Sequence, residues 1–361
     1  MNRPTSDPLF ATRIAGWQRE HGRNSLPWQN TRDAYRIWLS EIMLQQTQVA
    51  TVLGYYERFL ASCPTVHALA DASDDAVMAL WAGLGYYSRA RNLHKAAKLV
   101  VEKHSGVFPN DVNALAELPG IGRSTAAAIA AFAYDTIAPI LDGNVKRVLA
   151  RHAGIEGFPG VSAVEKKLWA AAEARLPHAR EDMVAYTQGL MDLGATVCTK
   201  ASPTCMLCPV ASDCKARIDG KIDEIPAPKP SKALPHKMQR YLLALHADTV
   251  LLVKRPPQGI WGGLWCLPEL SNDVPPGEMD AASKAKFAIE QIENTAPLAS
   301  FDHSFTHFKL TLQPLKVDVS RVGKRLEEGG SMWIALGELE RAALPKPIKT
   351  LLSELVKSRQ L

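Results

Sequence analysis

The stretch Leu118-Pro119-Gly120-Ile121-Gly122-Arg123-Ser124-Thr125-Ala126 decides the fold of the first part of the chain. Gly120 and Gly122 permit a tight turn between two helices and leave backbone amides exposed. The second helix presents its N-terminal N–H groups and the positive end of its dipole to the same place. A phosphate fits there without any base being read. The stretch therefore predicts a helical hairpin, whose turn is either a plain corner between two helices or a site for a phosphate.

The residues on either side of this hairpin also have the pattern of helices. Tyr35, Trp38, Leu39, Ile42 and Met43 recur at the spacing of a helix that faces a core. Short polar or Pro/Gly breaks separate further helical patterns, and no convincing strand alternates among them. We therefore predict an all-helical domain over residues 1–226, with further helices at about 87–104, 123–133, 144–153, 162–175 and 181–194.

The pattern changes after a stretch rich in proline at residues 227–236, which we interpret as a linker. The segments RYLLALHA, TVLLVKR and FDHSFTHFKLTLQPLKVDV then have the composition of strands. Helical patterns fit residues 280–293 and 346–358. Residues 237–361 are therefore predicted to form an α/β domain.

The composition excludes several classes of protein. With 361 residues, of which 47% are hydrophobic and 22% charged, the chain is typical of a globular protein with more than one domain. It has no apolar run long enough for a membrane helix and no apolar segment before a cleavage site near its start. We therefore expect a cytoplasmic monomer without a membrane partner. The net charge of +5 permits a nucleic-acid partner but does not require one.

Four cysteines lie close together with the spacing C-x6-C-x2-C-x5-C, which favours a metal centre over disulfides. Zinc sites commonly pair two short CxxC turns, whereas this loop has one such turn and two wide gaps. The wide gaps suit an iron–sulfur cluster, although the spacing alone leaves zinc open. The candidate ligands are Cys198, Cys205, Cys208 and Cys214.

Two carboxylates stand out because their settings differ. Glu41 shares a helical line with Gln45, beside an apolar stripe, and partial burial would raise its pKa enough for it to donate a proton near neutral pH. Asp142 directly precedes a helix, where the N-terminal amides favour its ionised form. On these residues alone, Glu41 fits a solvated helix edge and Asp142 fits an ordinary N-cap, but one protonated and one ionised carboxyl is also the arrangement that cleaves glycosidic bonds.

These motifs resemble the endonuclease III and MutY superfamily of DNA glycosylases, over about residues 10–352. The cysteine spacing and LPGIGRSTA are similar to that superfamily's cluster loop and helix-hairpin-helix signature. WLSEIMLQQTQV and LDGNVKRVLAR resemble its adenine-specific branch, MutY. The resemblance implies a helix-hairpin-helix glycosylase domain with a [4Fe-4S] cluster, followed by a Nudix-like (MutT-like) α/β domain.

The resemblance also implies roles for individual residues. Glu41 would protonate the departing adenine at N7 and then help to activate water. Asp142 would stabilise or trap the oxocarbenium ion, with Asn144 hydrogen-bonding in support. Residues implied to contact DNA or the extracted adenine are Trp28, Gln45, Tyr86, Gly120, Gly122, Ser124 and Gln188.

Position 124 separates two branches of the superfamily. The branch that also cleaves the DNA strand has a lysine here, which forms a Schiff base, whereas this chain has Ser124, which has no amine. The resemblance therefore implies a monofunctional enzyme that removes adenine opposite 8-oxoguanine or guanine in double-stranded DNA.

The C-terminal residues resemble the 8-oxoguanine recognition domain of the same branch. Phe305, Thr306 and His307 stand where that branch commonly has Phe-Ser-His. The helix that would hold Mg²⁺ in a Nudix hydrolase lacks its run of glutamates in KAKFAIEQIEN, which disfavours pyrophosphohydrolase activity. Two rival functions are a glycosylase/lyase for oxidised pyrimidines, which Ser124 disfavours, and a non-enzymatic iron–sulfur protein that binds DNA, which would gain nothing from Glu41.

Overall fold

A computed structural model describes residues 8–230, 233–273, 278, 281, 287, 289–322 and 330–359. The chain divides into two compact units, Met1–Asp71 with Asn92–Ser231, and Ala72–Arg91 with Lys232–Leu361. The division near residue 231 falls inside the stretch that the sequence suggests is a linker. The segment Ala72–Arg91 belongs to the second unit, which the sequence pattern did not indicate.

All the regular secondary structure among the described residues of the first unit is helical. Its core joins α1, α8, α9 and α11 through buried side chains such as Phe10, Ile14, Leu149 and Tyr186. Together with α5, which lies in the second unit, the helices up to residue 218 are α1 Pro8–His21, α2 Ala34–Leu44, α3 Val49–Ser62, α4 Val66–Asp71, α5 Asp74–Trp81, α6 Ser88–His104, α7 Val112–Ala116, α8 Arg123–Tyr134, α9 Gly143–Ala153, α10 Ser162–Glu173, α11 Met183–Asp192 and α12 Lys215–Ile218.

The helix α11 does not end at an ordinary cap. It continues into a π-helical turn at Leu193–Val197, and the first candidate metal ligand, Cys198, follows directly. The predicted helix over 181–194 is therefore confirmed as a helical segment but changes type at its end. Such π turns widen the helix locally and occur often at functional sites.

The second unit contains a mixed sheet, which confirms the predicted α/β class. Strand β1 pairs in parallel with β7 and antiparallel with β2, and β5 borders β7. The strands are β1 His236–His246, β2 Thr249–Lys254, β3 Trp265–Cys266, β4 Glu269–Leu270, β5 Ile289–Pro297, β6 Phe301–Ser304, β7 Lys309–Val322 and β8 Ser331–Ala335; the last helix is α13 Lys346–Arg359.

One predicted element is wrong in part. The sequence predicts a helix over 280–293, but residues from Ile289 onward form β5. Strand β5 pairs with β7 through an irregular, bulged register. Polar residues therefore lie on both of its faces, and their spacing in the sequence resembles that of a helix. Residues 280, 282–286 and 288 lie outside the described residues. Within the described part of the chain, no helix is both long and apolar enough to cross a lipid bilayer.

Candidate active site and nucleic-acid interface

A cavity of about 990 Å³ in the first unit brings together the residues that the sequence predicts for catalysis. A second cavity, of about 520 Å³, shares part of the same wall. Trp28, Glu41 and Gln188 line both cavities. The predicted site residues that line the larger cavity are Trp28, Glu41, Gln45, Ser124, Asp142, Asn144 and Gln188.

Glu41 lies on α2, and the start of this helix is fixed by Asp33, whose carboxylate accepts hydrogen bonds from the first backbone amides. The side chain of Glu41 reaches the cavity wall beside the buried Ile37. Burial, together with the negative charge of Asp142, raises the pKa of Glu41 from 4.5 to about 8. The carboxyl is therefore protonated at neutral pH, as a general acid requires.

Asp142 is the N-cap of α9, where its carboxylate accepts the Val145 amide at 2.7 Å. Burial raises the pKa of Asp142 above its ordinary 3.8, while hydrogen bonds from the backbone amides of Val145 and Asn144 oppose that rise. The amides of the helix N-terminus thus act in favour of the ionised form, while burial acts against it and makes the net shift of the Asp142 pKa upward. The negative charge of ionised Asp142 contributes to the raised pKa of Glu41.

Asn144 supports Asp142 through its backbone amide, which lowers the pKa of Asp142. Its side chain does something else: Oδ1 accepts a hydrogen bond from Arg147 at 2.9 Å. Arg147 also donates to the carbonyl oxygens of Gly194 at 2.5 Å and Cys198 at 2.7 Å. The hydrogen bond from Asn144 to Asp142 thus comes from the backbone amide, and Arg147 connects the site to the cysteine loop.

Ser124 lies in the first turn of α8 and faces the same cavity as Asp142. Its hydroxyl accepts a hydrogen bond from the backbone amide of Leu141 at 2.8 Å. Leu141 is the residue before Asp142 and is almost fully buried. The hydroxyl therefore fixes the chain that carries Asp142, a role that the sequence did not reveal.

The hairpin predicted at residues 118–126 is present between α7 and α8. Gly120 has φ +81°, and a Cβ there would lie 2.9 Å from the Cβ of Asn92, so this position demands glycine. Gly122 is the N-cap of α8 with φ −89°. A Cβ there would meet nothing within 4 Å, which leaves room beside the helix N-terminus. A phosphate could approach these amides.

Gln45 and Tyr86 are two further positions predicted to contact DNA. Gln45 lies next to a residue with strained backbone, and Tyr86 itself has strained backbone. Gln45 ends α2 and donates to the hydroxyl of Thr125 at 3.4 Å, and Gln46, which follows it, has φ 56°. Tyr86 has φ 47° and is 43% exposed. Non-glycine residues in this left-handed region cost free energy and concentrate at functional sites.

Gln188 and Trp28 form the wall between the two cavities. Trp28 is buried and packs edge-on against the ring of Tyr56, with the ring centres 5.2 Å apart. The Gln188 amide donates to the carboxylate of Asp192 at 2.8 Å. Both side chains are therefore held rigidly at the place where the sequence expects adenine.

The four candidate metal ligands line one small cavity of about 20 Å³. Burial raises the pKa of Cys208 to about 11, and the charges of the other three cysteines add to this rise, so the four thiols lie within electrostatic range of each other. Arg151, which is 3% exposed, anchors the loop by donating to the carbonyl oxygens of Thr199 at 2.7 Å and Ile225 at 2.9 Å. Among the residues that the structure describes, no three His, Cys, Asp or Glu side chains are arranged to hold a single metal ion.

The second unit brings Tyr86 and Thr306 together. Their hydroxyl oxygens are 3.0 Å apart and share a hydrogen bond. Phe305 stacks on Phe308 with ring centres 4.4 Å apart and also contacts Trp261, whereas Thr306 and His307 are exposed. The sequence predicts both Tyr86 and Thr306 as DNA-contacting residues but gives no sign that they meet.

Sequence reasoning missed three residues that organise the site. Asp192 lies four residues after Gln188 on one helix, a spacing at which glutamine and aspartate side chains bond, and this signal could have identified it. Arg23 and Arg147 carry no such signal. Arg23 bonds Asp192, and Arg147 bonds the carbonyl oxygen of Gly194, through the packing of segments that are far apart in sequence.

Comparisons with known proteins agree with this geometry. Residues 39–174 match the HhH-GPD superfamily of base excision DNA repair proteins, and residues 240–354 match the NUDIX domain. A solved structure of a thermostable thymine-DNA glycosylase superposes with a TM-score of 0.52 at 27% identity, covering 58% of this chain and 96% of that chain. The fold and the site thus define a base-excision repair protein of the helix-hairpin-helix class with an additional Nudix-type domain.

The full-length relatives are more specific. The adenine DNA glycosylase of Buchnera aphidicola subsp. Acyrthosiphon pisum is 35% identical over 97% of this chain and 98% of its own length. The adenine DNA glycosylase of Mus musculus is 32% identical over 94% of this chain and 76% of its own length. The chain belongs to the adenine DNA glycosylase family, as the sequence motifs predict.

Proposed function

We propose that this protein removes adenine mispaired with 8-oxoguanine or guanine from double-stranded DNA by hydrolysing the N-glycosidic bond. The observation that carries this proposal is the pair of unlike carboxyls in one cavity. Glu41, with a pKa raised to about 8, keeps its proton at neutral pH, whereas the Asp142 carboxyl in the same cavity accepts backbone amides that favour its ionised form. This is the division of acid and stabiliser that glycosidic cleavage requires.

The reaction begins when the adenine nucleotide leaves the base stack, because the glycosidic bond cannot be reached inside a duplex. Glu41 donates its proton to N7 of the base, which makes adenine a better leaving group. As the bond from C1′ to N9 breaks, positive charge develops on the sugar, and the Asp142 carboxylate stabilises it or traps it covalently. The Glu41 carboxylate then accepts a proton from the attacking water. Asn144 supports Asp142 through its backbone amide.

DNA is held by the hairpin and by two side chains at strained backbone. The open amides beside Gly122 receive a phosphate, and the close approach at Gly120 fixes the turn. Gln45 and Tyr86 enter the duplex beside the extracted nucleotide. We expect the protein to act as a monomer on chromosomal DNA in the cytoplasm, with a glycosylase domain at 1–226, a linker at 227–236 and the recognition domain at 237–361.

We propose that Cys198, Cys205, Cys208 and Cys214 hold a [4Fe-4S] cluster. The four thiols line one cavity, and a loop with one CxxC turn and two wide gaps fits a cluster of several irons better than one zinc. When bound, the cluster supplies four iron–thiolate bonds that tie the loop together. Arg151 and Arg147 anchor the same loop to α9 through its carbonyl oxygens.

The second unit recognises the base opposite adenine in this proposal. Phe305, Thr306 and His307 form an exposed turn backed by stacked aromatic rings, and the Thr306 hydroxyl can donate or accept a hydrogen bond. The bond between Thr306 and Tyr86 supports a joint role, because both side chains would meet DNA at one place.

The test is incubation of the protein with duplexes that each carry one defined mispair, followed by alkali to reveal abasic sites. We expect adenine release opposite 8-oxoguanine and guanine, an unbroken strand before alkali, and no release from adenine–thymine pairs. Glu41→Gln should abolish release while preserving binding. Release of oxidised pyrimidines instead, with strand cleavage before alkali, would favour the glycosylase/lyase and overturn the proposal.

A further inference from the structure

Asp192 is a buried carboxylate that the catalytic mechanism above does not use. It lies at the end of α11 and is 1% exposed. The Arg23 side chain contacts it, with Nε 2.8 Å and Nη2 2.6 Å from Oδ1, and the Arg23 backbone amide donates to Oδ2 at 2.9 Å. Because a buried charge costs free energy unless it is paired, these bonds hold Asp192 in one orientation.

The remaining partner of Asp192 is Gln188, whose Nε2 donates to Oδ1 at 2.8 Å. An ionised carboxylate can only accept hydrogen bonds, so it must receive the NH₂ end of the Gln188 amide. The carbonyl oxygen of Gln188 therefore points away from Asp192. Among the described residues none donates to that oxygen, and Gln188 lies in the wall of both cavities.

We propose that Asp192 is a positioning residue for base specificity: it fixes the polarity of the Gln188 amide so that the cavity offers a hydrogen-bond acceptor. This inference rests on the proposed function. The ligand group selected is an exocyclic amine at the six position of a purine, because this amine donates a hydrogen bond to the Gln188 carbonyl oxygen. A six-keto purine places a carbonyl oxygen against the Gln188 carbonyl oxygen and is rejected.

Because the orientation of the Gln188 amide is fixed, N6 and N7 of adenine are contacted by different residues. A freely rotating glutamine amide can bind adenine at both N6 and N7. With its orientation fixed on Asp192, Gln188 takes the N6 amine through its carbonyl oxygen. N7 is left to the protonated carboxyl of Glu41, which must reach it for catalysis.

The experiment measures single-turnover release of adenine, purine and hypoxanthine placed opposite 8-oxoguanine. Purine lacks the six-position group, and hypoxanthine carries oxygen there. Asp192→Asn removes the charge and replaces one of two acceptor oxygens by a donor, so residue 192 no longer fixes the Gln188 amide in a single orientation. We expect the rate ratio of adenine to hypoxanthine to fall by about tenfold or more relative to wild type, and the ratio of adenine to purine to fall as well.

The matched control is Asp182→Asn. Asp182 pairs with Arg19 at 2.5 Å just before the other end of α11, so the same change removes the charge of another aspartate–arginine pair without touching Gln188. Its base ratios should equal those of wild type. If both variants lower the ratio equally, a general loosening of the helix explains the effect and the proposal is overturned.

A double-mutant cycle tests whether Asp192 acts through Gln188. Gln188→Met keeps the Asp192–Arg23 pair and should by itself lower the ratio of the adenine rate to the hypoxanthine rate. This variant also tests the proposal if Asp192→Asn does not fold. Adding Asp192→Asn to Gln188→Met should change the ratio no further; a further fall overturns the proposal. Failure of wild type to release adenine at all would contradict the proposed function, whereas unchanged ratios in an active Asp192→Asn contradict this inference alone.

Discussion

The proton on Glu41 sets the pH range in which this site can act. Its pKa of about 8 lies above the ordinary value, so the acid form persists through neutral pH and is lost as the pH rises through 8. We predict that the single-turnover rate of adenine release falls about tenfold per pH unit above that value. The rate should also fall in acid, where Asp142, whose pKa is raised by burial, takes up a proton.

The measurement is a pH–rate profile with enzyme in excess over a duplex carrying one adenine–guanine mispair. Binding to the same duplex, followed in parallel, controls for loss of DNA contacts in base. A rate that stays level from about pH 7 to about pH 10 would remove Glu41 from the role of acid.

Ser124 is a second residue whose exchange gives a clear result. Ser124→Lys places an amine in the wall of the cavity that holds Asp142. An amine near C1′ can form an imine, so we predict a DNA adduct trapped by borohydride and some strand cleavage without alkali. Wild type should show neither. Ser124→Ala is the control, because both variants lose the acceptor for the buried Leu141 amide, at a cost of about 1–3 kcal/mol, while only lysine gains an amine. Absence of any adduct in Ser124→Lys would mean that residue 124 does not reach C1′.

At the scale of elements, the two glycines of the hairpin offer a matched pair. Gly120→Ala should lower the free energy of unfolding by about 1–3 kcal/mol, because its backbone is left-handed and Asn92 lies against it. Gly122→Ala should fold nearly as stably as wild type, since its backbone is ordinary and the space beside it is open. It should nevertheless bind duplex DNA more weakly, because the added methyl group stands where a phosphate approaches. Thermal melts and DNA titrations separate the two effects, and unimpaired binding by Gly122→Ala would place the phosphate elsewhere.

Among the secondary-structure elements, α2 could be predicted from the sequence and β5 could not, for physical reasons. Helix α2 was predictable because its apolar residues repeat along one face and Asp33 caps it. Strand β5 was not, because it pairs irregularly with β7 and its side chains are largely exposed. Local sequence patterns pointed to Glu41 and Asp142. The four-residue spacing from Gln188 would also have pointed to Asp192. The bonds from Arg147 to the carbonyl oxygens of Gly194 and Cys198 join residues that are far apart in sequence, so only the folded chain reveals them.

At the scale of the whole molecule, adenine excision and recognition of the opposite base should be separable. Deleting residues 237–361 removes Phe305, Thr306 and His307 and leaves every residue that lines the large cavity. We predict that the truncated protein still releases adenine opposite guanine and loses most of its preference for 8-oxoguanine. The comparison is the ratio of single-turnover rates on the two mispairs. Equal preference in truncated and full-length protein would assign recognition to the first unit.

A control is needed because the deleted residues also stabilise Ala72–Arg91. Lys254 pairs with Asp75 at 2.6 Å, and Arg91 donates to the carbonyl oxygen of Gly262 at 2.6 Å. The full-length Thr306→Ala variant keeps both bonds and removes only an exposed hydroxyl from the turn formed by Phe305, Thr306 and His307. It should lose preference for 8-oxoguanine with little change in melting temperature, which distinguishes recognition from stability.

The left-handed backbone at Gln46 has a consequence for anyone who evolves this protein in the laboratory. A glycine there would adopt φ 56° without strain, so selection for survival at high temperature would enrich Gln46→Gly. The same glycine would also let the turn leave that conformation, and with it the presentation of Gln45 to DNA. A heat screen and a repair screen on one library would therefore rank this substitution in opposite orders, and a thermostable variant chosen by the first alone would be a poorer repair enzyme.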